Sequence, residues 1–120
     1  MTYQEKAQDL YNMINSGQLL DAFEKYYHDD IVMVEATGDK REGKSANRQY
    51  EEKFLSSIKE FHGAGVGAIT SNEDDKTTSV ESWMDVTFQD GNRVKLEQVA
   101  VQQWGNEQIK HERFYYNPGN

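Results

Sequence analysis

Polar and apolar residues alternate along three long stretches between positions 76 and 116, with a turn signal at each reversal. Alternation of that kind predicts long strands. Asp90-Gly91 marks the first reversal and Gly105-Asn106 the second, since Gly, Asn and Asp tolerate the positive φ of a tight hairpin turn. With two-residue loops, counting outward pairs Thr87 with Val94, Met84 with Glu97, Val99 with Glu112 and Glu97 with Phe114. One face then carries Val80, Ser82, Met84, Val86 and Phe88 beside Lys95, Glu97, Val99 and Val101, and these beside Lys110, Glu112, Phe114 and Tyr116. The other carries Glu81, Trp83 and Asp85 with Leu96, Gln98, Ala100, Ile109, His111, Arg113 and Tyr115. Neither face is wholly polar, so both are expected to be covered in part. Strands this long curl, and a curled sheet has a concave side that can hold a ligand.

Ahead of these strands the apolar period becomes helical. Thr2-Tyr3-Gln4-Glu5 has the form of a capping box, and Tyr3, Ala7, Leu10, Tyr11 and Ile14 recur at helical spacing until Gly17. Leu20, Phe23 and Tyr27 form the stripe of a second short helix that His28-Asp29-Asp30 ends. Residues 31–35 read as a strand, and Gly38-Asp39-Lys40 as a loop. Ser45 is the expected N-cap of a third helix with the stripe Ala46, Tyr50, Phe54, Leu55 and Ile58, ending near Glu60. In residues 61–71, a further strand, Gly63, Gly65 and Gly67 leave one face bare, a mark of close approach or strong bending. Helices grouped ahead of a meander predict an α+β fold, expected as a single domain over residues 1–120.

A net charge of −8 with scattered basic residues argues against nucleic acid. The chain has no cysteine, which removes disulfides and thiolate chemistry and fits a reducing cytosol. No basic-then-apolar leader and no apolar run near the roughly 18 residues of a membrane helix is present, so a cytoplasmic protein without membrane contact is expected. The three histidines are dispersed, so neither a metal nor a cofactor is expected.

The runs Ser16-Gly17-Gln18-Leu19-Leu20, Tyr27-His28-Asp29-Asp30-Ile31 and Arg41-Glu42-Gly43-Lys44-Ser45-Ala46 resemble the superfamily of nuclear transport factor 2, scytalone dehydratase and ketosteroid isomerase. The closing Trp104-Gly105-Asn106-Glu107-Gln108-Ile109 and Glu112-Arg113-Phe114-Tyr115-Tyr116-Asn117 look like its polyketide-cyclase-like (SnoaL-like) branch. The resemblance implies a cone-shaped, cystatin-like α+β barrel: a curved six-stranded sheet around a pocket whose mouth the helices close, often dimeric through its convex face. It sets Glu35 where ketosteroid isomerase carries its Asp general base. Val99 stands at the oxyanion-stabilising Asp, Leu10 at the first-helix Tyr with Tyr11 beside it, and Asn117 where the cyclase-like branch often ends in Asp.

Together these readings give Glu35 as general base, with Glu112 or Glu97 orienting or protonating a small apolar carbonyl compound in isomerase, cyclase or dehydratase chemistry. Burial among apolar side chains would raise such carboxyls toward neutrality. Met33, Tyr50, Phe54, His62, Met84, Val99, Val101, Phe114 and Tyr116 are the expected ligand contacts, and Trp83, Leu96, Ile109, His111, Arg113 and Tyr115 the expected dimer face. The alternative is a module that binds or dimerises without catalysis, with Lys95 and Lys110 pairing Glu97 and Glu112. Glu35 solvated, or locked in an ion pair with a lysine, would favour that alternative.

Overall fold

A computed structural model of the chain describes residues 1–118. The elements run α1 (Tyr3–Asn15), α2 (Leu19–Tyr26), β1 (Tyr27–Val34), β2 (Lys40–Glu42), α3 (Lys44–Ser57), β3 (Ile58–Asn72), β4 (Thr77–Phe88), β5 (Arg93–Gly105) and β6 (Gln108–Tyr115). The capping box of α1 forms as expected, with Thr2 accepting from the Glu5 backbone and Glu5 accepting from the Thr2 backbone. Glu73, in the acidic turn before β4, accepts from the Tyr3 and Gln4 backbone amides and ties the same helix end to the sheet. A carboxylate there meets free N–H groups and the positive end of the helix dipole.

Four boundaries differ from the sequence reading. His28-Asp29-Asp30 continues β1 instead of separating it from α2. Lys40 opens the short strand β2, which pairs antiparallel with β1. Gly43, at φ +90°, is the N-cap of α3, so Ser45 lies inside the helix. That helix stops at Ser57 and passes directly into β3.

The six strands form one curved, unclosed sheet in the order β2-β1-β6-β5-β4-β3, with β1 and β6 parallel and every other pair antiparallel. Its inner face packs against α1 and α2 around Leu10, Phe23, Ile31, Met33, Val80, Trp104 and Ile109. Among the described residues no helix is long and apolar enough to cross a membrane.

Register is where the sequence reading needs correction. The first hairpin has a three-residue loop, Gln89-Asp90-Gly91, because Gly91 sits at φ +90° after the turn and Phe88 pairs with Asn92. Ser82 therefore pairs with Gln98 and Met84 with Leu96. In the second hairpin Asn106 takes the positive φ, Gly105 pairs with Gln108, and an irregularity follows between Gln103 and Trp104. Both shifts are odd, so they cancel between β4 and β6 and reverse only β5. Leu96, Gln98, Ala100, Gln102 and Trp104 share the inner side with Glu112, whereas Glu97, Val99 and Val101 face outward. The same reversal moves Leu96 off the expected dimer face. The irregularity moves Ile109 off it too, into the core.

The bare face of β3 is the outer one. Gly65 pairs with Trp83, and a Cβ added there would come within 2.5 Å of the indole nitrogen; at Gly67 it would meet only the end of Glu81. Gly65→Ala should lower unfolding free energy by about 1–2 kcal/mol through displacement of the ring. Gly67→Ala should cost little, because the Glu81 tip can move aside. Urea unfolding of the two variants checks the contrast, and equal costs would refute it.

Candidate functional site

An apolar cavity of about 640 Å³ opens between the C-terminal ends of α1 and α3 and the start of β3, lined by Ile14, Leu19, Leu20, Leu55, Ile58, Phe61 and Met84. One helical turn before Ile14 and Leu55 stand Tyr11 and Glu51, and two residues before Met84 stands Ser82. Tyr11 is buried with its hydroxyl against Gln102 and Ser82, and burial, followed by the Glu112 charge, raises its pKa well above the usual range. Three elements thus step from the apolar cavity to one polar centre.

That centre is Glu112, 1% exposed. Strand pairing sets it beside Gln102 on β5 and Met33 on β1. Tyr27 Oη donates to its Oε1 at 2.6 Å, and Gln102 Nε2 donates to its Oε2 at 2.7 Å. Behind Gln102, Thr78 donates to the amide oxygen at 2.6 Å and Trp104 Nε1 donates to Thr78 at 2.9 Å. Loss of hydration pushes the Glu112 carboxyl up to about 7, even though Tyr27 and Gln102 pull it down.

Glu51 is the second raised carboxyl, also at about 7 through burial first and then the charge of Glu112, with Arg41 opposing. It keeps partial access to the surface while protein surrounds most of its carboxyl. Among the described residues no hydrogen bond engages that carboxyl. An α3 stripe through Ala46 and Tyr50 leaves Glu51 off the side expected to be buried. Asn47, the buried residue of α3, lies one turn before Glu51 and Leu55 one turn after. Polar residues in line with an apolar stripe were the available signal.

Arg41 organises the remaining polar groups. Its Nη2 donates to Glu35 Oε2 at 2.7 Å, its Nε to Asn47 Oδ1 at 3.2 Å, and its guanidinium lies 3.5 Å from the Tyr50 ring centre. Tyr116 donates to the other Glu35 oxygen at 2.7 Å, and burial together with that bond pushes its hydroxyl up to about 12. Both Glu35 oxygens are therefore engaged, one of them in an ion pair, with an arginine instead of the lysine considered above.

Of the residues chosen from sequence, the structure brings Glu35, Tyr50 and Tyr116 together around Arg41, and places Met33 beside Glu112 in the core. Met84 lines the cavity, Phe54 packs edge-on to Phe88, and Phe114 packs on the core. Glu97 is 69% exposed and pairs with Lys95, and Val99 is exposed on the same outer side. His62 sits at an irregularity of β3, bonded to Thr87 on the outer face. Of the first-helix pair, Tyr11 rather than Leu10 meets the polar centre. Among the described residues no group of His, Asp and Glu is placed to hold a metal ion.

Comparison with known proteins agrees with this fold. A structure from Mesorhizobium loti, provisionally named both a SnoaL-like polyketide cyclase and a carbohydrate phosphatase, is 32% identical over 97% of this chain and 100% of that one, with a TM-score of 0.84. A provisionally named polyketide cyclase from Pseudomonas putida KT2440 is 19% identical (98% and 93% covered, TM-score 0.82). The epoxide hydrolase/cyclase-like enzyme SalBIII, which acts in pyran ring formation in salinomycin, is 20% identical (97% and 91% covered, TM-score 0.80). These last two likenesses show the fold alone. No curated protein sequence matched. The profile of the SnoaL-like domain matches residues 1–116, and with the curved sheet, the helices across its mouth and the inward carboxyls, the chain belongs to the SnoaL-like family of nuclear transport factor 2-like folds.

Proposed function

We propose that this protein binds a small apolar carbonyl compound and moves a proton on it without a cofactor, with Glu51 as the exchanging group. The observation that carries this reading is the Glu51 carboxyl itself: without a hydrogen bond among the described residues, pushed to about 7, and one helical turn before Leu55 of the cavity lining. A carboxylate at that pKa takes a proton from carbon at neutral pH and returns it after the electrons have rearranged. Removal beside a carbonyl gives an enolate oxygen, for which the Tyr11 hydroxyl is the nearby donor. Return of the proton to another carbon makes the reaction an isomerisation; attack of the enolate carbon on a second carbonyl makes it a cyclisation. Glu35 then serves as the counter-charge of Arg41, and Glu97 lies outside the site. The names of the structural neighbours agree with a cyclase or isomerase class.

Binding without turnover is the second reading, favoured by the full engagement of Glu35 and Glu112. A thermal-shift screen of wild type and Glu51→Gln against apolar ketones, lactones and polycyclic phenols, from about pH 5 to pH 9, separates the two. Acid/base chemistry requires a hit whose shift depends on pH in wild type and not in Glu51→Gln. Hits indifferent to both would leave binding alone.

On the outer face Trp83 and Tyr115 remain 37% and 51% exposed, beside Val99. This supports a homodimer through that face, with His111 and Arg113 at its margin. Gel filtration at about twice the 13.9 kDa chain mass is expected, and a monomer elution would refute it.

A further inference from the structure

The hydrogen-bond chain behind Glu112 has a direction fixed by its first member. An indole N–H can only donate. Trp104 Nε1 therefore donates to the Thr78 oxygen, and the one hydroxyl hydrogen of Thr78 is left to pass onward. Gln102 Oε1 accepts it, so the other end of the amide, Nε2, points at Glu112 Oε2. Turning that amide over would aim its N–H at Thr78 and strand the hydroxyl hydrogen where Thr78 and Gln102 are both 0% exposed. While Nε2–H points at Oε2, that oxygen is the poorer place for the proton, since a carboxylic O–H oxygen accepts more weakly than the carbonyl oxygen and its hydrogen would need a further acceptor in this buried centre.

We propose that Trp104, Thr78 and Gln102 form a one-way hydrogen-bond chain that confines the exchangeable proton of Glu112 to Oε1, the oxygen facing Tyr27. They are positioning residues, acting through Glu112. When Glu112 is ionised, Tyr27 donates to Oε1, as in the structure. When Oε1 takes up a proton, it donates to Tyr27 Oη, and the hydrogen of Tyr27 must turn to another acceptor. Tyr11 and Glu51 are the groups that act on Tyr27 from α1 and α3. Protonation of Glu112 thereby turns the Tyr27 hydroxyl hydrogen away from Oε1, in a centre where Glu51 also acts on Tyr27 through its charge. Tyr27 and Glu35 bear on Glu112 from β1 and its end, Arg41 from β2, Gln102 from β5, and Tyr11 and Glu51 from the helices. The inference rests on the proton-transfer reading only in giving this reserve a use; the direction of the chain stands without it.

Carboxyl-carbon NMR of Glu112 against pH, assigned with Glu112→Gln, tests the chain. In Thr78→Val the amide is free to turn and offer its carbonyl to Glu112, which can then hold its proton on Oε2. The midpoint should rise by about one pH unit, a tenfold gain in proton affinity. Trp104→Phe should move it in the same direction by less, and Thr78→Ser should restore it. Midpoints unchanged in Thr78→Val and Trp104→Phe would overturn the proposal, including when melting temperature falls, because that pattern is packing alone. If Thr78→Val does not fold, Trp104→Phe carries the test by the sign of its shift. No substrate enters this measurement. Shifted midpoints with no carbonyl ligand found would retain the chain and remove the catalytic reading; turnover with unmoved midpoints would do the reverse.

Discussion

Glu51→Gln should lower kcat on a confirmed carbonyl substrate by at least about 100-fold, the contribution expected of a positioned general base. KM should change little, because glutamine keeps the shape and polarity of the side chain while losing the ability to exchange a proton. The wild-type rate should climb as pH rises through about 7, where Glu51 ionises. In the glutamine variant that limb should vanish. Glu97→Gln is the contrasting case: its carboxylate stands on the outer face with Lys95, so kcat should stay within about twofold. A Glu51 variant with the wild-type pH profile would remove this residue from the chemistry.

Glu112→Gln should stabilise the protein at alkaline pH. The carboxyl is held at about 7 in the fold against 4.5 in a free chain, so the folded state binds the proton more tightly. Its stabilising contribution is complete below about pH 4.5 and is lost as pH rises through about 7. The shift corresponds to about 3 kcal/mol as an upper figure. Urea unfolding should therefore show wild type gaining less stability than Glu112→Gln between pH 5 and pH 8.5. Glutamine at this site can still accept from Gln102 through its carbonyl, with its amide turned to Tyr27. Glu51 titrates in the same window, so the single variant keeps part of the slope and the double Glu51→Gln, Glu112→Gln variant should be nearly flat. A constant difference between wild type and Glu112→Gln across this range would refute the account of Glu112.

The fold was legible because its signals are local. The capping box at Thr2, the stripes of α1 and α2 and the alternation in β4 and β6 each specify one element. The site was less legible because it depends on parity across two turns. One extra loop residue at Gly91 reverses a strand, and it exchanged Glu97 and Val99 for Gln98 and Gln102 as inward residues. Glu112 kept its place only because the irregularity between Gln103 and Trp104 made the shift of the second hairpin odd as well. Glu35 lies inside as expected, yet its partner Arg41 comes from a strand too short to carry a pattern, and only the β1–β2 pairing brings them together. Glu51 was hidden by its surroundings: a glutamate in a charged helix reads as solvent-facing until Asn47, one turn before it, shows which side of α3 is buried.

The central claim, that the carboxyl one turn from the cavity lining on α3 is tuned to neutral pH, is tested most directly by carboxyl-carbon NMR of Glu51 in the ligand-free protein, assigned by its loss in Glu51→Gln. The account predicts a midpoint of about 7. A midpoint near the ordinary 4.5 of a hydrated glutamate would contradict it, and with it the proposed proton transfer.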